Sequence, residues 1–314
     1  KRQLMQYVLQ GVADGGYWCE AVDLVEKYGV VPKQVQPETY QSSHTARFVS
    51  TINRLVRKDA WELRELVLAG KDPYARKKEM MQEIYDAQCI AFGEPVQTFD
   101  FSYRDKDKVY HEERNLTPLD FYHQYVEGSL RDYVAIVNEP TEIMPLNKPI
   151  QFHGVENMVG RDMLALNLPQ KEMEALCVKQ LEAGDAIWFA CDAGAYGARK
   201  EGVWDPESVC CEALLGGFST AMPKGRRLEY NSSSATHAMI LVGVHFDETG
   251  VPDRWKIENS WGKDVGDGGY FVCSEKYFED FVYEAVIHKK HLTEAQRKML
   301  EEEPVIINAW DEDH

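Results

Sequence analysis

The sequence lacks several features that would assign it to a particular class of protein. No pair of cysteines has CxxC spacing and no histidines cluster with them, so nothing indicates a zinc site. The longest apolar runs, such as 238–244, fall well short of the roughly 20 residues that a membrane helix needs. There is no low-complexity tract, and the 44% hydrophobic and 28% charged residues are typical of a folded, soluble protein.

Positive charge is also scarce. The net charge is −17, which argues against nucleic-acid binding because phosphate contacts need clustered lysine and arginine. The basic residues between Arg47 and Arg64 follow helical spacing and are typical of a solvated helix face. The seven cysteines are odd in number and scattered, so we expect free thiols in a reducing cytoplasm.

The start of the chain lacks both a methionine and an apolar signal segment. Leu4, Met5, Val8 and Leu9 already have the spacing found in the middle of an amphipathic helix. We therefore expect a fragment, a processed chain or a missing front segment.

The first half of the chain is dominated by helical patterns. We predict helices at about 21–27, 46–69 and 74–92, with a glycine-rich turn at 14–16. Residues 94–149 are mixed, with a strand-like piece at 98–103. The second half favours short strands, and helices return near its end; these strands are at 185–191, 238–245, 254–259 and 270–273, and the helices at 275–281 and 294–302.

One pair of residues stands out by its spacing. His237 opens an apolar run and Asn259 ends the next one, with a turn sequence at 247–250 between them. The midpoint of the two positions is residue 248, so a hairpin would place the two side chains directly opposite each other. The oxygen of Asn259 would then accept an imidazole N–H and leave the other ring nitrogen to take a proton from a nucleophile. A histidine at a strand end is also common as a structural residue, so spacing alone leaves both interpretations open.

The neighbouring residues carry a family resemblance. The segment 259–262 (Asn-Ser-Trp-Gly), with the glycine-rich 266–270 after it, resembles the asparagine motif of papain-like cysteine peptidases. The segment 236–239 (Thr-His-Ala-Met) resembles the histidine motif of the bleomycin hydrolase branch. Residues 14–18 (Asp-Gly-Gly-Tyr-Trp) resemble the segment whose glycines let a substrate backbone approach closely. The chain is thus identified as a member of the bleomycin hydrolase and aminopeptidase C family, with a resemblance that extends from about 14 to 310.

This resemblance implies a papain-like α+β fold with a helical insertion and with the N-terminal part missing. Residues 1–45 would be the remainder of the helical subdomain, and 46–130 an insertion for oligomerisation. Residues 131–290 would form the β-rich subdomain with the histidine and asparagine, and 291–314 a C-terminal helix and tail near the cleft.

The resemblance also implies residue roles. His237 would be the general base and acid of a Cys-His-Asn mechanism, Asn259 would orient it, and Trp261 would cover their hydrogen bond. On the substrate side, Gly15 and Gly16 would pair with substrate backbone.

Ala238 would leave room for the side chain of the second residue on the acyl side of the scissile bond. Peptide substrates, a hexameric ring and a cytoplasmic location follow from the same resemblance, with no metal or organic cofactor and no membrane association.

The family's nucleophile is a cysteine at a helix N-terminus, and nothing in residues 1–13 matches its segment. Cys19 follows the glycine pair and has no lead-in that contains a glutamine, and we interpret Cys191 as a buried thiol at a strand end. The nucleophile would therefore lie outside this sequence, and this polypeptide alone would be inactive.

Three alternatives stay open at this point. The ending 311–314 differs from the family's usual tail, which receives the substrate amino group, so an endopeptidase competes with an aminopeptidase. A catalytically inactive ring component would keep the fold without the thiol. The third alternative is a family member with a basic channel that binds nucleic acid. The net negative charge of the chain argues against it.

Overall fold

The computed structural model describes residues 8, 11–126, 128–154, 161–208 and 210–308. The helix predicted around residues 4–9, apart from Val8, and the ending of the chain at 309–314 lie outside these residues. The described residues divide into two compact units. The first holds those up to Gly128 together with Arg161, and the second holds 129–154 and 162–308.

The first unit is mainly helical. Its elements are α1 (Trp18–Tyr28), α2 (Tyr40–Ser43), α3 (Ala46–Leu68), α4 (Tyr74–Phe92), β1 (Phe99–Arg104), β2 (Tyr110–Leu116) and α5 (Pro118–Tyr125). The bounds of α4 are those predicted, because Gly93 takes a positive φ of 87° and ends the helix. β1 and β2 form an antiparallel pair. The sequence did not predict β2, whose residues are mostly polar and show no apolar alternation.

The second unit is built on one 11-stranded sheet. Its strands are β3 (Tyr133–Val137), β4 (Lys148–His153), β5 (Met163–Asn167), β6 (Ile187–Cys191), β7 (Gly197–Ala198), β8 (Val203–Trp204), β9 (His237–Phe246), β10 (Pro252–Glu258), β11 (Tyr270–Ser274), β12 (Val282–His288) and β13 (Val305–Asn308). Its α-helices are α6 (Gln170–Glu182), α7 (Lys224–Glu229), α8 (Glu275–Phe281) and α9 (Glu294–Met299). Short 3-10 turns lie at Leu130–Asp132, Cys211–Leu215 and Lys289–His291.

The strand order in the sheet is β13-β4-β5-β3-β12-β6-β9-β10-β11-β8-β7. Most neighbours are antiparallel, whereas β13 with β4, β3 with β5, and β11 with β8 are parallel. The central strand β12 is buried over six of its seven residues. It pairs with β3, which lies about 150 residues earlier in the chain, and no local pattern indicates that pairing.

Aromatic packing holds α8 against the sheet. Phe278 of α8 stacks on Trp255 of β10 with ring centroids 4.2 Å apart, and both side chains are fully buried. The indole nitrogen of Trp255 donates to Glu275 at 2.7 Å, so its polar atom is also satisfied. Burial of such a ring contributes roughly 1.5–3 kcal/mol. This packing fixes β10, the strand that ends just before Asn259.

The β9–β10 hairpin corrects the predicted register. Ile257 pairs with Leu241 and Glu258 with Ile240, so a continuation would bring Asn259 opposite Met239 rather than opposite His237. The turn is centred on Thr249, with Asp247 N donating to Val251 O at 2.8 Å, one residue later than the sequence prediction assumed. Direct opposition is therefore wrong by two residues, which still leaves the two side chains in diagonal reach.

The predicted division into four functional segments stays a prediction. The structure places the described residues of 1–45 and nearly all of 46–130 in a single unit. The predicted boundary near residue 130 lies close to Gly128, where the first continuous stretch of that unit ends. Neither fact assigns a function to a segment.

Candidate active site

His237 is held in place at the first position of β9. Its backbone pairs with Cys191 at the end of β6, and the N–H of the preceding Thr236 donates to Cys191 O at 2.9 Å. Thr236 Oγ1 in turn accepts from Ala193 N at 3.1 Å. The imidazole is half-buried and projects where two strands end together. A rigid sheet thus positions this ring, which is the arrangement that a catalytic base requires.

Asn259 follows the last residue of β10, and its side chain meets the histidine. Nε2 of His237 lies 3.0 Å from Oδ1 of Asn259. The asparagine is only 8% exposed, and its N–H donates to Gly269 O at 3.1 Å. Its Nδ2 is buried and has no hydrogen-bond partner in the part of the chain that the structure describes. An unsatisfied buried donor is costly. The hydrogen bond that the Asn259 oxygen makes with His237 is therefore the interaction that this side chain provides.

The hydrogen bond decides how the imidazole can act. An amide oxygen only accepts hydrogen bonds, so Nε2 carries a proton and donates it to Asn259. Nδ1 of the neutral ring is then left as the acceptor. The arrangement orients a proton acceptor without placing a negative charge beside it.

Trp261 covers this pair. Its indole stacks on the His237 ring with centroids 5.0 Å apart and an angle of 19° between the planes. Edge-to-face contacts with Trp204 at 5.9 Å and Phe271 at 5.7 Å hold the indole from other sides. Exclusion of water from a hydrogen bond strengthens it, because the local dielectric constant falls.

A pocket of about 340 Å³ opens beside the imidazole. It is lined by Ala193, Gly194, Gly197, Arg199, Trp204, Thr236, His237 and Trp261. The guanidinium carbon of Arg199 lies 4.2 Å from the centre of the Trp261 ring. The pocket therefore combines a proton acceptor, two indoles and one positive charge.

Gly197 is required by the wall of this pocket. A Cβ at this position would lie 2.5 Å from Nε1 of Trp204, which donates to Ala193 O at 3.1 Å. A side chain here would displace the indole that supports Trp261. The sequence signal for this part of the site is the glycine-containing stretch after β6, which sequence reasoning did not use. Arg199 and Trp204 were missed for that reason.

The substrate-side predictions fall in different places. Gly15 and Gly16 belong to the first unit, and a Cβ on Gly15 would meet no atom within 4 Å, so there is open space on the side where a side chain would lie. Ala238 is half-buried and pairs with Ala190 on β6. Successive residues of a strand point to opposite faces, so Ala238 lies on the face opposite to His237.

The buried cysteines are unsuited to be a nucleophile. Cys177, Cys191 and Cys273 are fully buried free thiols, and burial raises the pKa of Cys191 to about 12. Burial raises the pKa of the other two as well. The interpretation of Cys191 as a buried strand-end thiol is confirmed. Cys19 is half-buried, in the first turn of α1.

One group of carboxylates in the described part of the chain could approach a metal ion, namely Glu174, Glu275 and Glu279. Lys171 already lies within 2.8, 3.4 and 2.6 Å of these three carboxylates, in that order. Burial, and next the proximity of Glu174, raise the pKa of Glu275 to about 8. We interpret the cluster as a structural ion-pair network.

No helix within the described residues is both long enough and apolar enough to span a membrane.

Comparisons with known proteins agree with the geometry. The sequence profile of the Peptidase C1-like family matches residues 1–313. Aminopeptidase C of Listeria monocytogenes is 38% identical over 299 residues, which cover 95% of this chain and 67% of that protein. Human bleomycin hydrolase is 37% identical over 318 residues, which cover 98% of this chain and 70% of that protein. The crystal structure of PepW from Lactobacillus rhamnosis superposes with a TM-score of 0.93 at 39% identity, covering 99% of this chain and 71% of that one.

Proposed function

The chain belongs to the Peptidase C1-like family of cysteine-type peptidases, and we propose that it removes residues from the amino terminus of peptides with His237 and Asn259 as its base and orienting residue. The family membership confirms the expected papain-like α+β fold. The observation that carries the proposed roles is the 3.0 Å contact between Nε2 of His237 and Oδ1 of Asn259 beneath the Trp261 indole.

In the proposed mechanism, Nδ1 of His237 takes the proton of a cysteine thiol and forms a thiolate–imidazolium pair. The thiolate attacks the carbonyl carbon, and the imidazolium then gives its proton to the departing amine. Asn259 keeps the ring in the orientation that serves both steps, and Trp261 shields the Asn–His bond. The nucleophile is proposed to lie outside this sequence, which fits the burial of Cys177, Cys191 and Cys273.

The substrate roles of Gly15 and Gly16 remain part of the proposal, and that of Ala238 belongs to the endopeptidase alternative. The open space beside the Cα of Gly15 would let a substrate strand approach closely. An aminopeptidase binds a single residue on the acyl side, so a subsite at Ala238 would be filled only by the longer acyl part of an endopeptidase substrate.

The exopeptidase proposal is tested with paired fluorogenic substrates. Aminomethylcoumarin amides of one amino acid are offered to the full-length protein with a free or an acetylated amino group. We expect hydrolysis of the free amine and at least a hundredfold slower hydrolysis of the acetylated form, since burial of an unpaired amide where a charge belongs costs several kcal/mol. Equal rates would make it an endopeptidase, and no hydrolysis of either by folded protein would favour the inactive ring component.

The nucleophile is located by labelling with an epoxide that reacts with papain-like thiols, followed by peptide mapping. We expect one adduct per chain, absent from the peptides that contain Cys177, Cys191 and Cys273. Replacement of His237 by alanine should slow the labelling, because the thiolate depends on the imidazolium. Equal labelling of several cysteines in both proteins would contradict the proposed pair.

We also propose that the protein is cytoplasmic and assembles into a hexameric ring through the insertion at 46–130. Large apolar side chains on α3 and α4 are exposed, among them Trp61 at 62% and Ile90 at 88%. Exposed apolar groups on consecutive helices are typical of an interface. Light scattering should give the mass of six chains, and a Trp61→Glu, Ile90→Glu double variant should give smaller species. A wild-type monomer would overturn the assembly.

A further inference from the structure

The pocket beside His237 contains a positive charge that has no negative partner among the described residues. Arg199 is exposed and forms no ion pair with any described residue. Arg226 and Arg254, which are also exposed, both lie within 4 Å of carboxylate oxygens. In a chain of net charge −17, an arginine that lines the active-site pocket and lacks a carboxylate is a candidate for binding an anion from solution.

The backbone that carries Arg199 is held rigidly. It lies in the short hairpin between β7 and β8, where Gly202 N donates to Ala198 O at 2.9 Å. The next residue, Lys200, accepts through its carbonyl from Gly266 N at 3.1 Å, which ties the hairpin to the segment before β11. The guanidinium stacks on Trp261 at 4.2 Å. Preorganisation of this kind reduces the entropic cost of binding a ligand.

The pocket lies on the leaving-group side of the reaction. The imidazolium of His237 delivers its proton to the departing nitrogen, so the residue attached to that nitrogen lies against the imidazole. His237 and Trp261 both line the pocket, whereas Ala238, proposed for the acyl side, lies on the opposite face of β9. A ligand in the pocket would therefore be the part of the substrate that follows the scissile bond.

A carboxylate on that residue has sufficient reach, because His237 and Arg199 contact the same indole. The two stacking distances, 5.0 Å and 4.2 Å, place the guanidinium carbon no more than about 9 Å from the centre of the imidazole ring. A departing nitrogen within about 3 Å of the imidazole, its own carboxylate about 3 Å further, and a charge-assisted hydrogen bond of about 2.8 Å span a similar length. An acidic side chain on the same residue reaches as far.

We propose that Arg199 binds a carboxylate carried by the residue that follows the scissile bond. The enzyme would then prefer dipeptides, through their terminal carboxylate, and peptides with aspartate or glutamate at that position. This inference rests on the proposed peptidase function and adds a class of substrate to it.

The test measures the preference directly in the full-length enzyme. Four substrates share leucine as the residue released: Leu-Ala, Leu-Ala amide, Leu-Glu amide and Leu-Gln amide. We expect kcat/KM to be about tenfold higher for each acid than for its uncharged partner, since a hydrogen bond to a charged group contributes about 1.5–3 kcal/mol. The first pair reports on the terminal carboxylate and the second pair on the side-chain carboxylate.

The Arg199→Gln variant should lower both acid-to-amide ratios to near one, and Arg199→Lys should keep part of them because the charge remains. Arg254→Gln, which removes an exposed arginine on β10, is the matched control and should keep the wild-type ratios. Higher salt should weaken the preference in the wild-type enzyme.

Wild-type ratios near one, or ratios that Arg199→Gln leaves intact, would overturn the inference, while hydrolysis of the amides would continue to support the peptidase. A folded enzyme that cleaves none of the four substrates and no coumarin amide would remove both.

Discussion

Strand β9 carries a histidine at each end, and the two ends differ in the partner they provide. His237 is half-buried, lies 3.0 Å from the amide oxygen of Asn259 and is stacked on Trp261. The His245 side chain is 58% exposed and pairs with the carboxylate of Asp253. The same strand therefore presents one imidazole to a neutral acceptor under an indole and another to a charged acceptor in solvent.

The contrast between an amide partner and a carboxylate partner shows how each affects the proton on a histidine. A carboxylate stabilises the imidazolium and opposes the loss of its proton, whereas an amide orients the ring and adds no charge. His111 and His153 also pair with carboxylates, those of Asp105 and Asp162. The surroundings of His237 thus differ from those of His111, His153 and His245 in placing no carboxylate of the described residues on the ring.

Replacement of each histidine by alanine compares the contributions of the two ends of β9 to activity. We expect His237→Ala to reduce kcat/KM by roughly 10⁴-fold, because it removes the group proposed as both base and acid. His245→Ala should stay within about twofold of wild type, since surface pairs of this kind contribute little. The rates are measured with a coumarin amide of one amino acid. A comparable loss in both variants would mean that His237 acts only through the stability of β9.

The partner of His237 is changed next. Asn259→Ala should lower kcat/KM by about a hundredfold, because the ring loses its orientation but keeps its chemistry. Asn259→Asp would give His237 the kind of partner that His245 has, and a carboxylate raises the pKa of a neighbouring imidazole. The alkaline limb of the pH–rate profile should therefore move to higher pH in Asn259→Asp. An unchanged profile would show that Asn259 does not contact the working imidazole.

Sequence alone could predict this pair but not its setting. The motifs at 236–239 and 259–262 identified His237 and Asn259, and the structure brings the two side chains into contact. The register was wrong because the turn is centred on Thr249, and a shift of one residue in a turn moves strand pairing by two. Turn geometry of this kind depends on local hydrogen bonds, here those of the Asp247 carboxylate with Thr249 and Val251.

The fold was predictable where the pattern is local. Helix α4 was predicted with its observed bounds, since Gly93 marks its end. Strands β3 and β12 were missed, although they are central and buried, because their pairing joins residues such as Val137 and Glu284 that lie far apart in sequence. Arg199 was missed for a related reason: only the β7–β8 hairpin and the Trp261 indole bring it to the pocket.

The indole cover is the third difference between the two ends of β9. We expect Trp261→Ala to lower kcat/KM by about tenfold, because water then competes for the bond between His237 and Asn259. A coumarin amide is the appropriate substrate, since it carries no carboxylate and its rate does not depend on the proposed role of Arg199. The unfolding midpoint, measured in parallel, separates loss of this cover from loss of the fold. A folded variant with the wild-type rate would show that the indole has no part in the reaction.

The smallest effect is expected at the exposed end. The hydrogen bond from His245, and next the charge of Arg254, hold the pKa of Asp253 below its ordinary value, although desolvation opposes them. A carboxyl group with a lowered pKa in the folded state stabilises the protein above its unfolded pKa of about 4, and this stabilisation is lost as the pH falls through the folded pKa. Asp253→Asn should therefore lower the unfolding midpoint slightly at pH 7, and the difference from wild type should disappear in strong acid. A difference in unfolding midpoint that persisted in strong acid would show that Asp253 stabilises the protein through packing. The charge of the partner would then not be what distinguishes His245 from His237.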